Sequence, residues 1–317
     1  MENSGYKVIS LDLKGAGIDP SDPNTILSFD EYNKPLIHLL SSLPDNEQVI
    51  LVGHSAGGLS VTDAIHKFAK KIKVAVYVAA SMLRSGFVSE QDVKDGVPDL
   101  SEFGEFADVY DMEFGLGPEK PPTSVVIKKS LQRQIIYQMS ALEDSTLAAM
   151  LLRPGPIQAL QSARFKEGEG AKRVPRVYIR ATNDRVLKLE QQDVMIRKWQ
   201  PQHVYTLESD HSPFFSAPFA LFGLLVKRPR DTDISIFFYQ FHSGAFGLIN
   251  TAWFCMFFMN SRSTAAATLS CKAGNENNSL FWILVCLFPQ FLGTLVAFEN
   301  FLLFKAIVRG PSRVVLS

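Results

Sequence analysis

The chain has 317 residues, 46% of them hydrophobic and 20% charged, enough for one large domain or two small ones. Lys plus Arg equals Asp plus Glu at 32 each, and no basic stripe interleaved with aromatics occurs, which sets nucleic-acid binding aside. The three cysteines, Cys255, Cys271 and Cys286, have no metal-ligand spacing, and no secretory signal opens the chain; a reducing, cytoplasmic compartment is expected, with neither metal nor cofactor.

The first expected element is a strand, Lys7–Leu13, followed by a Gly/Asp/Pro-rich loop. Ser28-Phe-Asp-Glu31 reads as a capping box, in which side chains satisfy the first free amides of a helix. Leu36, Leu39, Leu40 and Leu43 follow at helical spacing, and Pro35 predicts a kink. Val49–Val52 is a continuous apolar run, the pattern of a parallel strand covered on both faces. A helix over about 56–70 and a strand at Val74–Val78 complete a strand-helix-strand unit and predict a doubly wound, mostly parallel α/β sheet. Residues 84 to about 160 break the alternation and read as a helical insertion. One helix is expected over Thr123–Met139, and another opening on a second capping box, Ser140-Ala-Leu-Glu143. The alternation then returns: strand Arg176–Ala181, helix Leu189–Lys198, strand Val204–Leu207, helix Pro218–Val226. The expected domain is residues 1–228, with core 1–83 and 160–228 and insertion 84–159.

Composition changes near Lys227-Arg228-Pro229-Arg230. The remainder, 229–317, holds two uncharged runs, Ile234–Met259 and Leu280–Phe298, each long enough for a bilayer and flanked outside by basic residues. Two readings stand: a membrane hairpin with both ends cytosolic, or sequence foreign to the fold. Membrane association is expected only through 234–298.

Gly53-His-Ser55-Ala-Gly57 fits G-x-S-x-G between an apolar strand and a helix, the context of a nucleophile elbow. The structural alternative is a Gly/Ser turn that merely starts a helix. In the functional reading Ser55 is the nucleophile and the Ala56 amide faces an oxyanion. Of six histidines, only His211 follows a strand within a loop near the end of the core, which makes it the candidate base. Asp184, past the strand ending at Ala181, is the candidate orienting acid. Asp210 and Glu208 lie too close to His211 in sequence to orient it easily. The order Ser, Asp, His is that of the α/β-hydrolases, and each residue sits past the C-terminal end of a strand.

Over about Gly5–Leu225 the chain resembles the plant methylesterases, the salicylic-acid-binding-protein and hydroxynitrile-lyase branch of the α/β-hydrolases. The resemblance rests on Gly5-Tyr-Lys-Val8, Asp12-Leu-Lys-Gly-Ala-Gly-Ile-Asp19, Val49-Ile-Leu-Val-Gly-His-Ser-Ala-Gly-Gly58, Asp95-Gly-Val-Pro-Asp99, Phe114-Gly-Leu-Gly-Pro118 and Asp210-His-Ser-Pro-Phe-Phe215. It looks nearest to members acting on methyl indole-3-acetate, with methyl jasmonate and methyl salicylate as further expected substrates. It implies a Ser55–Asp184–His211 triad, an oxyanion amide from Ala56, and a lid formed by the insertion over an apolar pocket. Phe114, Tyr137 and Met139 are candidate lining residues, with His54 and Ser212 beside the triad. The lyases of the branch carry lysine directly after the catalytic histidine. Here that position is Ser212, which favours the esterase. A lyase-type activity and a catalytically silent small-molecule binder are the alternatives, and a homodimer is an open expectation.

Family members begin with a central strand ending in His-Gly, whose loop donates a second oxyanion amide. Met1–Gly5 instead resembles the end of the family's first helix. The expectation is therefore a chain starting inside the fold. Lys7–Leu13 and Val49–Val52 would be left without ladder partners, and one oxyanion donor, about 3–4 kcal/mol of transition-state stabilisation, would be missing.

Overall fold

The computed structural model describes residues 7–226 and 235–238. The chain divides into two units, and every described residue lies in the first, Met1–Leu248 with Leu316–Ser317.

After an irregular N-terminal stretch come α1 (Phe29–Tyr32) and α2 (Lys34–Ser42). The Ser28 hydroxyl accepts the Glu31 amide and so caps α1. Pro35 cannot donate a backbone bond, and the predicted kink is a break at Asn33. Leu36 and Leu40 are buried, with Leu39 and Leu43 packed against the same core. Next are β1 (Val49–Ser55), α3 (Gly57–Phe68) and β2 (Ile72–Ala80). β1 and β2 pair in parallel and are almost wholly buried, as their unbroken apolar runs require.

The insertion holds α4 (Glu90–Gly96), α5 (Phe106–Val109), β3 (Tyr110–Glu113), β4 (Ser124–Ile127), α6 (Lys129–Ile135), α7 (Leu142–Leu151) and α8 (Ile157–Gln161). It is therefore not all helical. The helix expected over Thr123–Met139 is shortened because Ser124-Val-Val-Ile127, rich in β-branched residues, pairs antiparallel with β3. The second capping box does not form either. Ala141, rather than Ser140, stands at the N-cap of α7 and has no polar side chain to cap with, while the Ser140 hydroxyl donates to the buried Asp210 carboxylate.

The core resumes with β5 (Arg176–Ala181), α9 (Leu189–Lys198), β6 (His203–Leu207), α10 (Pro213–Ser216) and α11 (Pro218–Leu225). The last described element is β7 (Ser235–Phe238). All five core strands run parallel in the order β6-β5-β2-β1-β7.

Two expectations are corrected here. Lys7–Leu13 is not a ladder strand; Ile9 and Leu13 are nonetheless buried in the core. Second, β1 is not left open on its far edge. Val49–Val52 pairs in register with Ser235–Phe238, so four residues of the segment expected to lie outside the fold belong to its sheet. The reason is backbone accounting: the edge of a buried strand presents unpaired N–H and C=O groups that must find partners. Within 7–13 the β pairing is confined to a bridge at Ile9. Among the described residues no helix is long and apolar enough to cross a membrane. The remainder of the two uncharged runs lies outside the described residues.

The β1–β7 ladder carries a testable consequence. Ile236→Pro removes a ladder donor and constrains the strand, and is expected to cost about 2 kcal/mol, lowering Tm by roughly 4–8 °C. Thermal unfolding of the variant beside the parent checks this; an unchanged Tm would show that β7 contributes nothing to the sheet.

Candidate active site

β1 leads into α3 through the sequence Gly53-His-Ser55-Ala-Gly57. Ser55 has φ +53°, the left-handed region that a non-glycine residue occupies at a cost of roughly 1–3 kcal/mol. The turn is closed from both sides. A Cβ on Gly53 would meet the Gly57 carbonyl oxygen and Val61 Cγ2 at 2.6 Å, and one on Gly58 would meet the Ser81 oxygen at 2.4 Å. Gly53 and Gly58 are thus demanded by close approach of neighbouring atoms. The Ser55 carbonyl accepts the Ser81 amide at 3.0 Å. The buried Tyr178 hydroxyl holds the neighbouring Ala80, donating to its carbonyl at 2.9 Å and accepting its amide at 3.1 Å. Burial, and then the charge of Asp184, push the Tyr178 phenol well above its usual range, so it stays a neutral donor.

Ser55 Oγ lies 3.0 Å from His211 Nε2, and His211 Nδ1 lies 2.8 Å from Asp184 Oδ2. A carboxylate can only accept, so Nδ1 carries the proton and Nε2 is the acceptor facing Ser55. Asp184 is buried, and its other oxygen accepts the amides of Val186 at 2.8 Å and Leu187 at 2.9 Å. Gln192, on α9, fixes this loop from behind: it accepts the Ala181 amide and donates to the carbonyls of Ala181 and Leu187. The Asp184 and His211 loops are tied together by the Asn183 amide on the Ser209 carbonyl at 3.0 Å.

His54 is buried and its Nε2–H donates to the His211 carbonyl at 2.6 Å; its ring also lies 4.6 Å from the imidazole. Ser212 is buried too, its amide on Asp210. Both serve the loop of His211. Ala56 opens α3, where a helix's first amides have no intrahelical acceptor. From the insertion, the Met139 amide reaches Asp210 at 2.9 Å, and the buried Tyr137 ring stands 6.3 Å from Phe215. Phe114, in the exposed turn after β3, shares no hydrogen bond or ring contact with these residues. Sequence reasoning passed over Asp210 as a bland neighbour of His211. Its four hydrogen bonds join segments about 70 residues apart, which no local pattern displays.

A serine held in a strained strand-to-helix turn, hydrogen-bonded to an imidazole that a buried carboxylate orients, is equipped for attack on a carbonyl carbon. The model of the alpha/beta hydrolase family matches residues 2–223. Methylesterase 17 of Arabidopsis thaliana is 58% identical over 231 residues, covering 72% of this chain and 83% of that protein. The chain belongs to the plant methylesterases of the α/β-hydrolase family. The pheophorbidase of Raphanus sativus is 44% identical over 226 residues, or 71% of this chain and 84% of that protein. Among solved structures, the methylesterase MES16 from Arabidopsis superposes with a TM-score of 0.60 at 42% identity, over 68% of this methylesterase-family chain and 84% of that one.

Proposed function

We propose that this chain hydrolyses methyl esters of small carboxylic acids, those of indole-3-acetic, jasmonic and salicylic acids among them. Ser55 is the nucleophile, His211 the general base and Asp184 the orienting acid. The observation that carries this reading is the hydrogen-bonded row Ser55–His211–Asp184 on the positive-φ elbow. Ser55 Oγ attacks the ester carbonyl while Nε2 of His211 takes its proton. The oxyanion faces the Ala56 amide. His211 returns the proton to the departing methoxide, giving methanol. Water then attacks the acyl group, again through His211, and releases the free acid. Each step uses side chains, one amide and water alone.

The insertion serves as the lid, with Phe114, Tyr137 and Met139 as its proposed pocket residues. At position 212 stands a buried hydroxyl, without a hydrogen-bond partner among the described residues, rather than an ammonium. No cation stands there to stabilise departing cyanide, so hydrolysis is preferred to lyase chemistry.

Fluorophosphonate labelling of the full chain, with the labelled peptide located by mass spectrometry, tests the nucleophile. Methanol release from the three methyl esters then tests the substrate class. Labelling at Ser55 and turnover of at least one ester are expected. Folded protein that neither labels nor releases methanol would overturn the reading in favour of a silent binder.

A further inference from the structure

The loop that carries His211 holds a second buried acid, which the row Ser55–His211–Asp184 does not use. Asp210 is fully buried, and both of its oxygens are occupied. Oδ1 accepts the Ser212 amide at 2.9 Å and the Ser216 hydroxyl at 2.7 Å, both from the segment that contains His211. Oδ2 accepts the Met139 amide at 2.9 Å and the Ser140 hydroxyl at 2.9 Å, both from the insertion. A buried carboxylate is kept only where its lone pairs are taken. Here each side of the molecule supplies half of the donors.

The insertion side of this junction is itself braced. Arg133 Nη1 donates to the Ser140 carbonyl at 2.6 Å and to Ser145 Oγ at 2.7 Å, tying α6 to the start of α7. The insertion also reaches the loop of Asp184. Arg185 donates to the Gln134 carbonyl at 3.0 Å, and the Gln138 side chain donates to the Asn183 carbonyl. On the core side, His54 holds the carbonyl of His211. The backbone of His211 is thus held by His54 from the sheet, and its neighbour Asp210 is held by Met139 and Ser140 of the insertion.

We propose that Asp210 is a positioning residue: its carboxylate latches Met139–Ser140 onto the loop of His211, so that the imidazole stands in working register with Ser55 only while the insertion is seated. The inference rests on the reading of Ser55, His211 and Asp184 as the triad. It makes proton abstraction from Ser55 contingent on the insertion's placement, and so ties the chemistry to a covered site.

The test uses the full chain, Asp210→Asn and Ser140→Ala, with Ser55→Ala as control. Two quantities are read: the second-order rate of Ser55 labelling by a small fluorophosphonate, and kcat and KM for a hydrolysed methyl ester. Asn at 210 turns an amide NH2 toward donors on one side, so one half of the latch must open. Its labelling rate and kcat are expected to fall on the order of 30- to 100-fold with KM little changed, the size of a sub-ångström to 1 Å misplacement. Ser140→Ala deletes only an insertion-side donor and is expected to lower both rates roughly 3- to 10-fold, the double variant being no worse than Asp210→Asn alone. Should Asp210→Asn fail to fold, Ser140→Ala decides. Folded variants with parental kcat and labelling rate, or a change confined to KM, would overturn the proposal. Equal labelling of the parent and of Ser55→Ala would instead overturn the triad reading, and this inference with it.

Discussion

Ser55→Ala is expected to lower kcat for methyl-ester hydrolysis by on the order of 10⁵- to 10⁶-fold, and His211→Ala by a similar factor. The double variant should be scarcely worse than either single one. The reason is the 3.0 Å contact between Ser55 Oγ and His211 Nε2. A neutral hydroxyl is a poor nucleophile until its proton has somewhere to go, and an imidazole without that hydroxyl has nothing to activate. The two side chains form one device, and removing either removes all of it. Residual hydrolysis would come from binding and from the Ala56 amide. Ser55→Ala should also relieve little of the backbone strain, since alanine at φ +53° still carries a Cβ. Steady-state kinetics on the two single variants and the double variant, with unfolding curves beside them, check this. Multiplicative losses would mean that Ser55 and His211 do not act as a unit.

Asp184→Asn is expected to lower kcat about 10⁴-fold while the fold is retained. The direction follows from the hydrogen bonds around Asp184. One of its oxygens accepts the amides of Val186 and Leu187, and the other accepts His211 Nδ1–H. An asparagine must keep its carbonyl oxygen on the two backbone donors, because turning the NH2 group toward them would set donors against donors. The NH2 is then left facing His211 Nδ1. The imidazole can satisfy it only as an acceptor, which moves the ring proton to Nε2, against Ser55 Oγ. In that tautomer the base has no lone pair for the serine proton. The loss should fall on kcat and on fluorophosphonate labelling together, with KM moving far less. Ring-nitrogen chemical shifts of His211 would show the exchanged tautomer directly. Parental kcat in folded Asp184→Asn would remove Asp184 from the proposed machinery.

The core of the fold was legible because its rules are local. Val49–Val52 and Val74–Val78 are apolar runs of strand length, Arg176–Ala181 is a β-rich segment between turns, and each sits inside an observed strand. A strand buried on both faces has few other compositions open to it. Leu189–Lys198 is a helix over the expected bounds, and Pro35 breaks its helix as its missing donor requires. The insertion was misread where local preference met a distant partner. Ser124–Ile127 pairs with a strand more than ten residues upstream, and Ser140 is bonded to the distant Asp210 while Ala141 takes the N-cap of the helix. Capping boxes and β-pairs draw on the same small polar and branched residues, and only the neighbour decides between them.

The same division runs through the site. Sequence by itself determined which residues could serve: a serine between glycines at a strand-to-helix turn, an aspartate and a histidine past later strand ends, and the order in which they occur. Those features follow from short-range sterics and from a topology that gathers strand ends on one rim. Only the tertiary structure decided that Oγ, imidazole and carboxylate meet at 3.0 and 2.8 Å, that β7 takes the edge beside β1, and that Asp210 joins insertion to loop. These depend on the placement of groups far apart along the chain. A buried hydrogen bond has no periodicity to announce it: the partner is chosen by whichever donor the fold brings within reach of an acceptor that water no longer serves.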